Sequence, residues 1–147
     1  MKANLRELHN VLVDLYIMMN QPKRDTALLE EAGVTLDRAL FPLLVGIEKK
    51  GPVGVVELAD MIGRDHTTVS RQVSKLEELG LVKRQISKND SRVKETSITS
   101  KGRELTDKIS VAREARAKRA LAGWSKKDLA ELTQLMRRFA NDLQSKS

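Results

Sequence analysis

Apolar residues return every three or four positions along most of this chain and alternate with polar ones only in two short stretches. The pattern predicts helices around one small β-element. Leu5, Leu8, Leu12, Leu15 and Met19 form an a/d seam, so residues 4–20 should be helical. A seam this narrow at a chain end suits either a partner helix or the chain's own core. Pro22 predicts a break over 21–25, with a short helical turn over 26–32 ended by Gly33. Thr35 is a good N-cap for the next helix, whose buried face would be Leu36, Leu40, Leu43, Leu44 and Ile47. Pro42 lies inside that face and predicts a kink near residues 38–42.

The middle of the chain is more finely punctuated. Residues 52–56 have room for a brief strand. Residues 56–62 and 66–79 read as two helices separated by Gly63–Arg64–Asp65, a spacing that suits a helix-turn-helix. Asp65 can cap the second of them and Gly80 stops it. Residues 81–87 and 95–99 read as strands, and the turn between them carries the cations Lys88, Arg92 and Lys94. Such a hairpin is either an ordinary solvated turn or a wing whose tip reaches a DNA minor groove. Its place directly after a helix-turn-helix favours the wing. Thr99 or Ser100 caps a long helix running to about Leu121 with a thin apolar stripe, and Ser125 caps a last one after the Gly123 break. The terminal helices cannot all bury their faces on a small winged module. Pairing with a second copy through Leu5, Leu8, Leu12, Leu132, Leu135 and Phe139 would cover them.

Chemistry concentrates on the helix at 66–79. Val69, Val73 and Leu76 share its inner face, while Thr67, Arg71 and Ser74, flanked by Ser70 and Lys75, lie opposite. Small hydroxyls permit close approach to a major groove, and arginine can fork onto guanine. His66, at the start of this helix, fits a phosphate or base contact. The net charge of +7 is unevenly placed: residues 1–63 are net −2, residues 64–103 net +5 and residues 104–147 net +4. Positive charge thus begins where this helix begins, which suits a polyanion such as double-stranded DNA. With 3% aromatic residues the core must be aliphatic, and the absence of cysteine excludes disulfides and thiol redox sensing. The two histidines have no metal-ligand spacing, so no metal or cofactor is expected. No apolar run spans a membrane and no signal peptide is visible, so a soluble, cytoplasmic protein is expected. No nucleophile–base set, carboxylate pair or phosphate loop emerges, which argues against an enzyme. The alternative from another class is a winged-helix adaptor for protein or RNA.

With these residues in view, the chain resembles the MarR (multiple antibiotic resistance regulator) family of winged-helix transcription factors. The resemblance runs from about Gly51 to Gly102, through Thr68–Val69–Ser70–Arg71, then Leu76–Glu77–Glu78–Leu79–Gly80–Leu81–Val82–Lys83–Arg84, then Asp90–Ser91–Arg92 and Ile98–Thr99–Ser100–Lys101–Gly102. It implies a mainly α fold with a small β-wing, a winged helix-turn-helix over 35–103 flanked by dimerisation helices over 1–34 and 104–147, all in one domain. It implies a homodimer on pseudo-palindromic promoter DNA, expected to act as a repressor and to be released by a small aromatic or phenolic acid. Contacts to DNA would come from Thr67, Thr68, Ser70 and Arg71 on the helix and Arg92 on the wing, with Asp90 fixing the wing by an ion pair. The sequence departs from the family pattern at Ser91, where many members carry a second cation, and at Val55 and Val56, where many have a Ser or Thr cap.

Overall fold

The computed structural model describes residues 1–146, in the order α1 (Lys2–Met19), α2 (Pro22–Ala32), α3 (Phe41–Lys50), β1 (Val53–Gly54), α4 (Val55–Ile62), α5 (His66–Glu78), β2 (Val82–Ile86), β3 (Lys94–Ile98), α6 (Ser100–Ala120) and α7 (Lys126–Lys146). The three strands form one antiparallel sheet ordered β1-β3-β2. Central β3 pairs Thr96 with both Val53 and Arg84. The class is mainly α with a small β-wing, as the pattern predicts. The chain falls into two compact units, Met1–Arg113 and a second from Glu114 onward.

Both prolines near the N-terminal side act as helix starters, not breakers, and this corrects two expectations. Pro22 occupies the first turn of α2, and the break is confined to Asn20 and Gln21. Pro42 occupies the first turn of α3, so the expected bent helix capped by Thr35 is not present. Its place is taken by a turn in which the Asp37 carboxylate accepts from the Ala39 N–H at 2.8 Å and the Asp37 carbonyl from Leu40 at 2.9 Å. A proline in the first helical turn lacks only an N–H that would be unpaired anyway, and its fixed φ suits the helix.

Two aliphatic clusters hold the first unit together. Leu43, Leu44 and Ile47 of α3 interlock with Leu58 and Ala59 of α4 and with Val69, Val73 and Leu76 of α5. This cluster fixes the face that α5 buries, so its opposite face is set by default. A second cluster joins Leu28 and Leu29 of α2 to Phe41, Ile109 and Ala112. There Arg113 stands over the Phe41 ring at 5.7 Å, a cation–π contact.

The turn between α4 and α5 is built as its sequence suggests. Gly63 ends α4 at φ 75°, a left-handed conformation that a side chain would strain. Asp65 then caps α5, accepting from the Thr68 N–H at 3.0 Å. That bond holds the Asp65 carboxyl below its ordinary 3.8. The cap is therefore complete at neutral pH and is lost only as pH falls through the lowered folded value.

Candidate nucleic-acid interface

Helix α5 presents its candidate residues in three ways. His66, Thr67, Arg71 and Lys75 are exposed. His66 Nε2 lies 2.9 Å from Asp60 Oδ1, which steers the imidazole from the preceding helix. Lys75 sits 3.7 Å from Glu78, one turn on. Thr68 is half-buried, and its hydroxyl approaches the Asp65 carboxylate at 3.3 Å, so it serves the cap. Ser70 and Ser74 are also half-buried, and the Ser74 hydroxyl donates to the Ser70 carbonyl at 3.1 Å. The outermost face is thus narrower than the sequence suggests and centres on Thr67, Arg71 and Lys75.

Arg84, quoted in the sequence motif but given no role there, joins this helix to the wing. From β2 it donates through Nη2 to Ser74 Oγ at 2.7 Å and to the Ser70 carbonyl at 3.3 Å, and its Nε lies 3.9 Å from Glu77. Both bonds leave the one nitrogen, Nη2, and together they hold β2 against the flank of α5. Arg64, from the turn before α5, does similar work on the same middle stretch of the helix. Its Nη1 donates to the Ala39 carbonyl at 2.7 Å and to Gln72 at 3.1 Å, tying the helix-turn-helix corner to the approach of α3. Neither role has a local signal, because Ala39 and Ser74 stand far from these arginines in sequence.

The wing spans the turn between β2 and β3. Asp90 anchors it, accepting from Arg92 through the backbone N–H at 3.0 Å, Nε at 3.1 Å and Nη2 at 3.3 Å. The Arg92 guanidinium and its backbone N–H hold the Asp90 carboxyl below its ordinary value. The pairing that the resemblance implies is therefore present. Arg92 is nonetheless 89% exposed, so the pair aims the arginine without covering it. Lys88, Ser91 and Lys94 are exposed beside it. At the wing's base, Arg92, Val93 and Lys94 line a shallow cleft with Val55, Val56 and Met61 of α4.

The residues expected to pair two copies lie on α1 and α7, neither of which contains a buried residue. Leu5 is 57% and Leu135 59% exposed, Leu8 and Leu132 are exposed, and Leu12 and Phe139 are half-buried. Among the described residues no His, Asp and Glu side chains group so as to hold a metal ion, and no helix is long and apolar enough to cross a membrane.

Comparison with known proteins agrees with this geometry. The MarR family profile matches residues 36–94. An HTH-type transcriptional regulator of Bacillus subtilis (strain 168), YxaD, is 32% identical over 104 residues, covering 71% of this chain and 73% of that protein. The fold is shared with a MarR family protein from Bacillus stearothermophilus, at a TM-score of 0.77 and 20% identity over 98% of both chains. It is also shared with a MarR transcriptional regulator from Methanosarcina mazei Go1, at a TM-score of 0.67 and 22% identity over 94% of this chain and 98% of that one.

Proposed function

We propose, since this chain belongs to the MarR family of transcriptional regulators and is not an enzyme, that it works as a homodimer on pseudo-palindromic promoter DNA. Residues 35–103 form the DNA-binding lobe in this reading, and residues 1–34 and 104–147 supply the helices that pair two copies. Each α5 enters a major groove with Arg71 on base edges, and each wing lays Arg92 in the flanking minor groove. Lys75, with Lys88 and Lys94 on the wing, neutralises phosphates, and His66 and Thr67 hydrogen-bond to them. Thr68, Ser70 and Ser74 shape the helix surface through the bonds they make within the protein. Promoter occupancy acts as repression, in the cytoplasm where the DNA lies, and a small aromatic or phenolic acid relieves it by preferring a dimer with displaced α5 helices.

The observation that carries this reading is the wing anchored to the recognition helix: Arg84 fixes β2 against α5, while Arg71 and Arg92 stay exposed. The exposed leucines of α1 and α7 support the dimer. The test is selection of duplexes from a random pool by the full chain. A two-fold sequence with half-sites about one helical turn apart, 10–10.5 base pairs, is expected, bound by two chains. A pool that stays random, or preferential capture of RNA, would instead favour an adaptor.

A further inference from the structure

The C-terminal end of α5 would ordinarily leave its last carbonyl groups to water. In α5 those of Lys75, Leu76 and Glu77 accept from the N–H groups of 79–81, and the carbonyls that follow, of Leu79 and Gly80, are taken by residues some twenty positions later. The Thr99 hydroxyl donates to the Gly80 carbonyl at 2.6 Å, and Lys101 Nζ donates to the Leu79 carbonyl at 2.9 Å. The Thr99 N–H donates to the Leu81 carbonyl at 3.0 Å. The same Thr99 oxygen accepts the Gly102 N–H at 3.1 Å, capping α6. One threonine side chain therefore fastens the turn that follows α5 and opens the next long helix. The lysine cation adds a favourable charge at the negative end of α5.

We infer that Thr99 and Lys101 are positioning residues for DNA recognition, clasping the end of α5 to the first turn of α6 so that α6 leaves the lobe in one fixed direction. Both side-chain bonds are solvent-exposed. Bonds of that kind add little to stability, yet they hold two helix ends in a single geometry. The inference rests on the dimeric reading above, in which α6 belongs to the helices that pair two copies. In such a dimer the angle between α5 and α6 sets how far apart, and at what rotation, the two recognition helices meet the DNA. The clasp then makes the protein discriminate between half-site spacings, a task that no base-contacting residue performs.

The test uses the full chain and the duplex recovered from the random pool. Two derivatives have one base pair inserted or removed between the half-sites. One base pair displaces a half-site by about 3.4 Å and turns it by about 35°. The wild-type protein is expected to bind the derivatives at least about tenfold more weakly than the parent duplex. The Thr99→Val/Lys101→Met pair should narrow that ratio to about twofold to threefold, while affinity for a single half-site changes by less than about twofold. Thr99→Ser/Lys101→Arg, which keeps both donors, should restore the ratio. A drop in melting temperature with the spacing ratio unchanged would overturn the inference and reduce both residues to ordinary helix caps. If the wild type recovers no two-fold sequence, the dimeric reading fails and takes the clasp's role with it. If it recovers one and the clasp variant discriminates spacing equally well, only the clasp fails.

Discussion

Replacing Gly102 by valine is expected to unfold the winged-helix part of the chain at temperatures the native protein withstands. Gly102 is buried in the first turn of α6. A side chain there would collide with the Leu81 carbonyl and approach Ile98 Cγ1 at 2.8 Å. The carbonyl cannot yield, because it is backbone and already accepts the Thr99 N–H. The only relief is for α6 to lift away from the turn after α5, which breaks the Thr99 bonds on both sides. Overpacking against rigid backbone should cost about 3 kcal/mol, the upper end of its usual range, and a large share of the roughly 5–15 kcal/mol that holds a domain folded. Urea unfolding followed by circular dichroism should show the midpoint fall sharply. Gly123→Ala, where an added Cβ meets nothing within 4 Å, should leave the midpoint nearly unchanged. Equal midpoints for Gly102→Val and the native protein would mean that α6 is not seated on Leu81.

DNA affinity is expected to fall about a thousandfold between 50 and 200 mM salt. Arg71, Lys75, Lys88, Arg92 and Lys94 are all exposed on the helix and the wing. If three of them on each of two subunits reach phosphates, about six counterions are released, and the logarithm of affinity falls with a slope near −5 against the logarithm of salt. Fluorescence anisotropy on a labelled duplex measures the slope directly. A slope near zero would remove the cationic surface from the mechanism.

The helix-turn-helix was legible because its signals are local. Asp65 caps from within three residues, Gly63 and Gly80 end helices by their own backbone freedom, and Val69, Val73 and Leu76 repeat at the helical period. The prolines mislead from sequence for a physical reason. A proline at a helix start and one that kinks a helix carry the same apolar pattern downstream, and only the turn upstream tells them apart. For Pro42 that turn is the Asp37–Ala39 bond, a local side-chain-to-backbone motif that the sequence does offer. The bracing by Arg64 and Arg84 and the clasp by Thr99 and Lys101 were not legible. Their partners are mostly carbonyl oxygens at distant positions, and every residue type presents the same carbonyl.

The arrangement also divides labour among the cations. Arg64 and Arg84 are spent inside the protein, holding the middle of α5 from Gln72 and from Ser70 and Ser74, whereas Arg71 and Arg92 remain exposed. Charge alone would rank these four equally, but their hydrogen bonds do not. The most direct measurement is therefore a gel shift of Arg71→Ala and Arg92→Ala on the duplex selected by the native protein, with oligomeric state measured alongside. Each substitution should weaken binding by about tenfold to a hundredfold, the worth of a good arginine–base contact at about 1–3 kcal/mol, while two chains still associate. Native affinity in both variants would contradict the placement of the DNA interface on α5 and the wing.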